Sequence, residues 1–486
     1  MSKRLIAVLS ILSLFLSLPI LPVNAAAKAG GTCTKAGQKS ISGSKTYTCI
    51  KSGKKLVWDK GVSVNTNSSN TSTTSMPLME KFDSSPNPAS DCKILDYRTN
   101  KTSPNNVGFP ITKQEIPTSG TTKVVFIPID FADARGIGDP SIKSLKIASE
   151  IQDWFKHFSN GKFNIEVQHS NNWFHSPLFS ASYSNIHPGT TQSNSTAPLA
   201  NSLAQQWVNL TGNAFNFDGV STIFFEFPDT VKGFGYGTQG RNIAIQTNQG
   251  TKNVMFNIMG NSWYTEGFMG VSNKFRADHF WSFYVHEMLH SMGLNLHAPG
   301  NGIPFSIGAN QTGTGEGFSG TLDTWELFLI NWLNENQIFC ANKNDLKRST
   351  ISLTAIDVSR DGVKTAFIKI SDHQMLVVTS RRAEEWSSGL SKNANGLLVY
   401  EVDTRRDRNT DAVEADANGL DNGNNPKYSK WAFYLLPDGS NQDYSIRRSM
   451  YEYVVQIGQS VTFEGVKVTY KYSGKDDVVE FQNLNF

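Results

Sequence analysis

The feature that most constrains this chain is a His-Glu-x-x-His motif, His286 to His290, inside a long apolar segment. Residues four apart lie on one face of an α-helix, one turn apart, so both imidazoles can reach the same point. That spacing suits two nitrogen ligands of one Zn²⁺ at roughly 2.0–2.1 Å. Glu287 flanks the histidines, where it can take a proton from metal-bound water. The motif therefore predicts a zinc site with Glu287 as general base.

The residues around the motif predict a buried helix within 278–297. Its apolar side chains surround the helix on nearly all sides, as in a core helix: Phe280, Trp281, Phe283, Tyr284, Val285, Met288, Leu289 and Met292. Gly293 ends this pattern and suits a chain reversal, after which His297 can return towards the metal. The alternative is that two core histidines fall four apart by accident. A buried cluster of His and Glu without a partner would be costly, which favours the metal site.

The length and net charge of the chain limit the classes of protein to which it can belong. A chain of 486 residues is expected to form two or three domains, and a net charge of +3 does not indicate a nucleic-acid binder. Residues 1–27 have a positive start, an apolar run and a small-residue end at Ala25–Ala27, which predict a secretory signal peptide. Serines and prolines interrupt the run and argue against a spanning helix. We therefore expect a secreted or extracellular protein with no membrane span in its mature form.

Four cysteines fit an oxidising compartment and allow three pairings. The simplest set joins Cys33 to Cys49 and Cys92 to Cys340, because each bridge then staples its own region. The alternative is that Cys92 stays free and caps the metal in a latent form.

Residues 28–60 predict a small disulfide-stapled β module. Short alternating stretches are broken by glycines, and eight lysines accompany a single acid, Asp59. One interpretation is attachment to an anionic cell-envelope polymer, which would make the protein cell-wall associated. The other is a solvated lysine face without a partner. Residues 61–91 are rich in Ser, Thr and Asn and read as a linker.

Strand-like and helix-like patterns alternate ahead of the motif. Strands are predicted at 123–131, 163–168, 222–227, 242–247 and 253–259, and helices at 142–158 and 196–210. This alternation predicts an α/β sheet packed against the motif helix, in a domain spanning residues 92–345.

After residue 345 the pattern is nearly all strand. Strands are predicted at 363–370, 374–380, 396–402, 431–436, 451–457 and 461–472, the last folded as a hairpin at Glu464–Gly465. Residues 346–486 therefore predict an all-β, sandwich-like domain, and the whole chain is expected to be α+β.

Several stretches outside the motif resemble the immune inhibitor A family of secreted zinc metalloproteases, which are relatives of the metzincins. The similar stretches are Val125–Phe131, Trp154–Phe155 with Phe158–Phe163, and Trp325–Glu326 with Asn331–Leu333. Most of the resemblance falls within residues 92–345. It implies a metzincin-like catalytic domain that cleaves protein or peptide substrates with zinc.

The chain departs from the metzincin pattern at the third ligand. Gly293 is in register, but Leu296 stands where a His or Asp is expected, and His297 follows one residue later. One extended residue adds ~3.3 Å, so a looser loop can deliver the imidazole of His297, which we predict as the third ligand. The alternative is a surface-loop histidine. The fallback ligands are Glu316, Asp323 and Glu326.

A second departure concerns the residue beneath the metal. The metzincins carry a methionine there, whereas Phe305–Gly308 of this chain would place Ile307 in that position. An apolar side chain can still fill the space.

Two functions follow. The first is a secreted zinc-dependent endopeptidase that hydrolyses peptide bonds with metal-activated water. The second, motivated by the shifted third ligand, is a catalytically inactive binding or adhesion protein of the cell envelope. A Ca²⁺ loop is a weaker hypothesis for the oxygen donors Asp416, Asn418, Asp421, Asn422 and Asn424. Their spacing does not match an EF-hand, and a solvated loop is the alternative.

Overall fold

The structure is a computed structural model. It describes residues 28–33, 36, 39–42, 45–63, 82–98, 106–112, 114–180, 193–231, 238–258, 278–294, 306–307, 318–405, 433–436 and 450–486. The chain divides into two compact units, Met1–Lys81 and Phe82–Phe486. Helices and several sheets together confirm the expected α+β class.

The first unit contains a small antiparallel sheet. Its strands are β1 (Lys39–Ser42), β2 (Lys45–Ser52), β3 (Lys55–Trp58) and β4 (Val62–Ser63), with β2 paired to all three others. A disulfide joins Cys33 to Cys49, as predicted, and Trp58 packs beside it. The apolar cluster among the described side chains of this module is small, so the disulfide is expected to contribute much of its stability.

The second unit begins with a mixed sheet and its helices. The elements are β5 (Gly120–Asp130), α1 (Ser141–Phe158), β6 (Phe163–Gln168), β7 (Phe174–His175), α2 (Ser193–Leu210), β8 (Val220–Glu226), β9 (Thr238–Thr247), β10 (Gly250–Ile258) and α3 (Trp281–Ser291). The strand order is β6-β5-β8-β10-β9, and β7 pairs with the end of β5. Every pairing is parallel except β10 with β9. All the strands and helices predicted ahead of the motif are confirmed.

Helices cover both faces of this sheet. Alternate residues of β5 point to opposite sides: Phe126 joins the apolar cluster of α1 and α3, whereas Val125 and Ile127 join the cluster of α2. A strand buried on both faces needs a continuous apolar run, which is why Val124–Ile127 lacks a polar residue. The motif helix α3 thus packs against the sheet beside α1.

Two further sheets follow. Their elements are α4 (Thr324–Leu329), β11 (Ile338–Asn342), β12 (Arg348–Leu353), β13 (Thr365–Lys369), β14 (Gln374–Arg381), β15 (Gly396–Asp403), β16 (Phe433–Leu436), β17 (Ser460–Phe463), β18 (Val466–Ser473) and β19 (Asp477–Asn483). The orders are β11-β13-β14-β15-β16 and β12-β19-β18-β17. One apolar cluster contains residues from both sheets, which is the arrangement of a sandwich.

The hairpin between β17 and β18 is confirmed at Glu464–Gly465, where both residues have positive φ (49° and 79°). Such angles suit a two-residue turn between twisted strands. The strand predicted at 451–457 is wrong. Met450–Tyr453 forms a 3₁₀ helix that packs Tyr451 and Tyr453 on the core, and Val455 alone bridges to Leu397.

Three strands of these two sheets, β11, β12 and β19, were not predicted. Strand β11 precedes the proposed domain boundary at 345 yet pairs in parallel with β13, which follows that boundary. Phe328 of α4 likewise stacks on Phe367 of β13 at 4.8 Å between ring centroids. The two regions therefore share one core, and the boundary at 345 remains a sequence-based prediction.

The second predicted disulfide, Cys92–Cys340, is also present. Both cysteines are buried, and the bridge joins the start of the second unit to β11. This pairing is incompatible with a free Cys92 that caps a metal. Within the described ranges, no helix combines the length and apolarity needed to cross a membrane.

Candidate metal centre

Helix α3 is shorter than the predicted segment and ends in a tight reversal. The amide of Gly293 donates to the carbonyl of His290 at 3.0 Å, and the amide of Leu294 donates to Leu289 at 3.1 Å. Gly293 has φ of 91°, a conformation that glycine adopts without strain. These two bonds form a Schellman motif, which turns the chain back against the last turn of the helix.

Aromatic packing fixes the position of α3 on the sheet. Tyr284 packs edge-on against Phe224 of β8 at 4.5 Å and lies 5.8 Å from Phe126 of β5, measured between ring centroids. Because Tyr284 faces the sheet, His286 two positions later points away from it, whereas Glu287 three positions later lies closer to the Tyr284 side of the helix. His286 remains buried, whereas Glu287 and His290 are partly exposed.

The two motif histidines converge. Their Nε2 atoms lie 3.0 Å apart, and their rings are perpendicular. The Nδ1 of His290 is 2.9 Å from the carbonyl oxygen of Leu294, and the Nδ1 of His286 is 3.3 Å from that of Ile307. A carbonyl only accepts, so both Nδ1 atoms carry protons. In the neutral rings, both Nε2 lone pairs then face the same point.

This donor arrangement fits a metal ion. Two lone pairs 3.0 Å apart repel each other, and a cation bound to both, or a proton on one, relieves that repulsion. The 3.0 Å separation would let both nitrogens bind the same ion. Backbone carbonyls on the opposite ring nitrogens are the usual outer contacts of metal-binding histidines.

The structure brings together two of the predicted ligands. His297 lies outside the described residues, as do Leu296 and the fallback ligand Glu316. Among the residues that are described, no group of three or more His, Cys, Asp or Glu side chains is placed to hold a metal. The prediction for His297 therefore stays a prediction.

The other two fallback ligands are buried at α4. Asp323 accepts a hydrogen bond from the amide of Glu326 at 3.0 Å, which makes it the N-cap of the helix. The hydroxyl of Tyr400 also donates to Asp323 at 3.2 Å. These bonds give Asp323 a structural role in the start of α4.

Glu287 lies in an environment that favours its neutral form. Burial raises the pKa of its carboxyl to about 8, and the nearby guanidinium of Arg241 opposes that rise. Arg241 belongs to β9 and also interacts electrostatically with Glu115, whose amide donates to the carbonyl of Ser291 at the end of α3. A divalent cation beside Glu287 would act in the same direction as Arg241 and lower the pKa of the carboxyl, because it favours the charged carboxylate.

Ile307 lies next to His286, where the resemblance put the residue beneath the metal. It is fully buried, its carbonyl faces the His286 ring, and its amide donates to the carbonyl of Thr321 at 2.6 Å. Ile307 thus supports His286 through its backbone as well as by filling space. Phe305 and Gly308 are outside the described residues.

Sequence reasoning missed two charged residues near α3. Arg241 carried no signal, because a single arginine in a strand is usually a solvated side chain. Glu226 did carry one, as an acid inside the apolar strand β8. It is buried, accepts a hydrogen bond from Ser144 of α1 and interacts with the hydroxyl of Tyr284. Burial raises the pKa of Glu226, so its carboxyl favours the protonated form.

This buried carboxyl predicts a pH dependence of stability. As pH rises above about 4.5, the unfolded chain releases the Glu226 proton before the folded protein does, so the free energy of unfolding falls until pH exceeds the folded-state pKa. A Glu226→Gln variant cannot ionise and should lose less stability between pH 5 and pH 8 than the wild type. Urea unfolding at both pH values measures the difference. The exposed Glu166→Gln serves as control, and equal slopes for wild type and Glu226→Gln would contradict the prediction.

The candidate calcium loop, Asp416 to Asn424, lies outside the described residues. No protein-family model matches the chain, and no significantly similar curated protein is found.

Proposed function

We propose that this protein is a secreted zinc-dependent endopeptidase. The observation that carries the proposal is the pair of imidazoles, His286 and His290, whose Nε2 atoms lie 3.0 Å apart while backbone carbonyls hold both Nδ1 atoms. Glu287 flanks this pair on the same helix. A purely structural metal site has no use for a carboxyl group beside its ligands, whereas hydrolysis needs a general base there.

The roles of the residues follow from their positions. His286 and His290 would hold the metal with His297 as third ligand, and bound zinc supplies a Lewis acid that polarises the substrate carbonyl and acidifies water. Glu287 accepts the proton of the attacking water and returns it to the leaving amine. Arg241, held near Glu287, keeps a positive charge beside the reacting groups and favours the carboxylate form of the base.

The sheet supports a peptide as substrate. Among the described strands, β9 has a neighbour on one side only, β10. An extended peptide can add to such an edge through main-chain hydrogen bonds, which tolerate many side chains. Arg241 lies on β9 and interacts with Glu287, so a peptide bound along this edge would pass the general base. The resemblance to the immune inhibitor A family and its metzincin-like catalytic domain is part of the same proposal.

A protein-digestion assay tests the function. Purified protein should cleave unfolded casein, lose this activity on treatment with a zinc chelator, and regain it when stoichiometric Zn²⁺ is added back. The competing hypothesis is a catalytically inactive adhesion protein on a protease-like scaffold. Cleavage that persists in chelator would exclude the zinc mechanism, and no cleavage by the zinc-loaded protein would favour the adhesion protein.

We also propose that the first unit binds an anionic cell-envelope polymer. Residues 28–60 carry eight lysines and one aspartate, a net charge of +7, whereas residues 61–486 carry −6 and the first 27 residues +2. Backbone amides of Thr48 and Gly61 bond the carboxylate of Asp59. The positive charge is therefore concentrated on one small module, which can attract a polyanion that the rest of the chain repels.

Binding of the full chain to immobilised inorganic polyphosphate tests this surface. We expect binding that weakens as NaCl rises from 50 to 200 mM, because each lysine–phosphate contact releases a counterion. A variant with Lys→Gln at 51, 54, 55 and 60 should lose about tenfold or more in affinity. The matched control carries Lys→Gln at four exposed positions of the second unit, 146, 156, 347 and 475. Equal losses in the two variants would refute a specific role for the module.

A further inference from the structure

Three buried residues, Ser319–Thr321, form what we call the anchor segment. The amide of Gly320 donates to the carbonyl of Trp386 at 2.8 Å, and the indole of Trp154 on α1 donates to the carbonyl of Gly320. Ser319 and Thr321 are fully buried, so their hydroxyls must find partners inside the protein. The anchor segment thus contacts α1 on one side and, on the other, Trp386 in the β-rich region that follows residue 345.

Arg381, the last residue of β14, provides the central contact to the anchor segment. Its Nη2 donates to the hydroxyl of Thr321 at 2.7 Å and to that of Ser319 at 3.1 Å. The same guanidinium pairs with Asp357 at 2.8 Å, and the side chains of this pair are 1% and 0% exposed. A buried ion pair persists only when its remaining donors and acceptors are also satisfied, and the anchor hydroxyls meet that need.

The anchor segment in turn holds the residue that supports His286. The carbonyl of Thr321 accepts the amide of Ile307 at 2.6 Å, and the carbonyl of Ile307 faces Nδ1 of His286 at 3.3 Å. A continuous series of contacts therefore runs from Arg381 through Thr321 and Ile307 to the histidine ring. Orientation of a ligand ring by its outer contacts commonly changes metal affinity by about 10–100-fold.

We propose that Arg381 is a positioning residue for the metal centre: through the anchor segment it fixes Ile307, and Ile307 fixes the ring of His286. The inference rests on the proposed function, which supplies the metal. The contacts from Arg381 to His286 are present without a bound metal. The β-rich region after residue 345 would then contribute to the metal centre, because both Arg381 and Asp357 come from that region.

The test compares Arg381→Met with Arg382→Met in the full chain. Arg382 is the matched control, because it follows directly in sequence and pairs with the buried Asp477, but its side chain contacts Ser473, Gly474 and Asp477 rather than the anchor segment. Thr321→Val is the second variant. It removes the hydroxyl that Arg381 bonds, keeps the backbone carbonyl and changes the volume little, so it serves if Arg381→Met does not fold.

Two readouts are needed. The first is Zn²⁺ affinity, measured by competition with a chromogenic chelator. The second is amide hydrogen exchange at Ile307 in metal-free protein, measured by NMR after isoleucine labelling. We expect Arg381→Met and Thr321→Val to weaken zinc binding about tenfold and to speed exchange at Ile307 about tenfold, with Arg382→Met close to wild type in both.

The outcomes separate this inference from the proposed function. If wild-type protein binds zinc and both anchor variants match Arg382→Met in both readouts, the positioning role is overturned. If wild-type protein binds no zinc, the proposed function falls, and exchange at Ile307 still decides whether Arg381 holds the residue beneath His286. A loss of overall stability without faster exchange at Ile307 relative to the control would assign Arg381 a structural role only.

Discussion

Replacing Glu287 with Gln should abolish cleavage of peptide bonds while the protein keeps its zinc. Glutamine has the same shape but cannot accept the proton of the attacking water, so the step loses its general base. General acid–base catalysis typically contributes 10²–10⁴-fold, and we expect the rate to fall by at least about 10³-fold. The comparison needs the rate of casein cleavage and the zinc content of the same preparations.

Glu115→Gln is the matched control for this variant. Glu115 also interacts with Arg241 but is exposed and does not flank the histidines. Its replacement changes the charge near Arg241 without removing the proposed base, and its rate should stay within a few-fold of wild type. Undiminished cleavage by Glu287→Gln would falsify the role of Glu287 as general base, whatever the zinc content.

Truncation of His290 to Ala should remove stoichiometric zinc. The variant loses one of the two nitrogens that face the same point and also the 2.9 Å contact between its Nδ1 and the Leu294 carbonyl. Because outer contacts alone change affinity by 10–100-fold, loss of a direct ligand should weaken zinc binding by on the order of 10³-fold or more. Elemental analysis after dialysis against metal-free buffer measures the content.

His175→Ala is the control for this experiment. Its ring pairs with Asp130 at 2.6 Å, but the side chain is 63% exposed and lies at the end of β7 rather than on α3. This variant should keep one zinc per chain. A full zinc complement in a folded His290→Ala protein would reject the proposed ligand set, and circular dichroism confirms whether the variant is folded.

Local sequence patterns predicted much of the fold because the periods are strong. The continuous apolar run of β5 and the 3.6-residue period of α1 appear in the sequence at nearly the bounds that the structure shows. The strands β11, β12 and β19 were missed because their patterns are short. Strand β12, for example, alternates polar and apolar residues only over Thr350–Leu353, and its pairing with β19 is a contact between segments that are distant in the chain. The strand predicted at 451–457 failed for a different reason. Tyr451 and Tyr453 pack on the core from a 3₁₀ helix, so this segment pairs with β15 only at Val455.

The candidate metal centre also combines features that the local sequence predicts with contacts that it does not. The spacing of His286 and His290 follows from the helical period, and Gly293 indicates the reversal that returns Leu294 to His290. The supports of His286 are separated from it widely in sequence: Ile307, then Thr321 and Arg381. No local pattern links such positions, because their contacts form only when the chain is packed.

By itself, the sequence determined the local geometry: two imidazoles on one helical face beside a carboxyl group, a glycine that ends the helix, and cysteines whose simplest pairing is the observed one. Only the tertiary structure decided what surrounds that geometry. It placed Arg241 near Glu287, buried Glu226 beneath α3, and joined the β-rich region to the residue under His286. The physical reason is range: helix and turn preferences act over a few residues, whereas burial and ion pairing depend on neighbours that are distant in the chain.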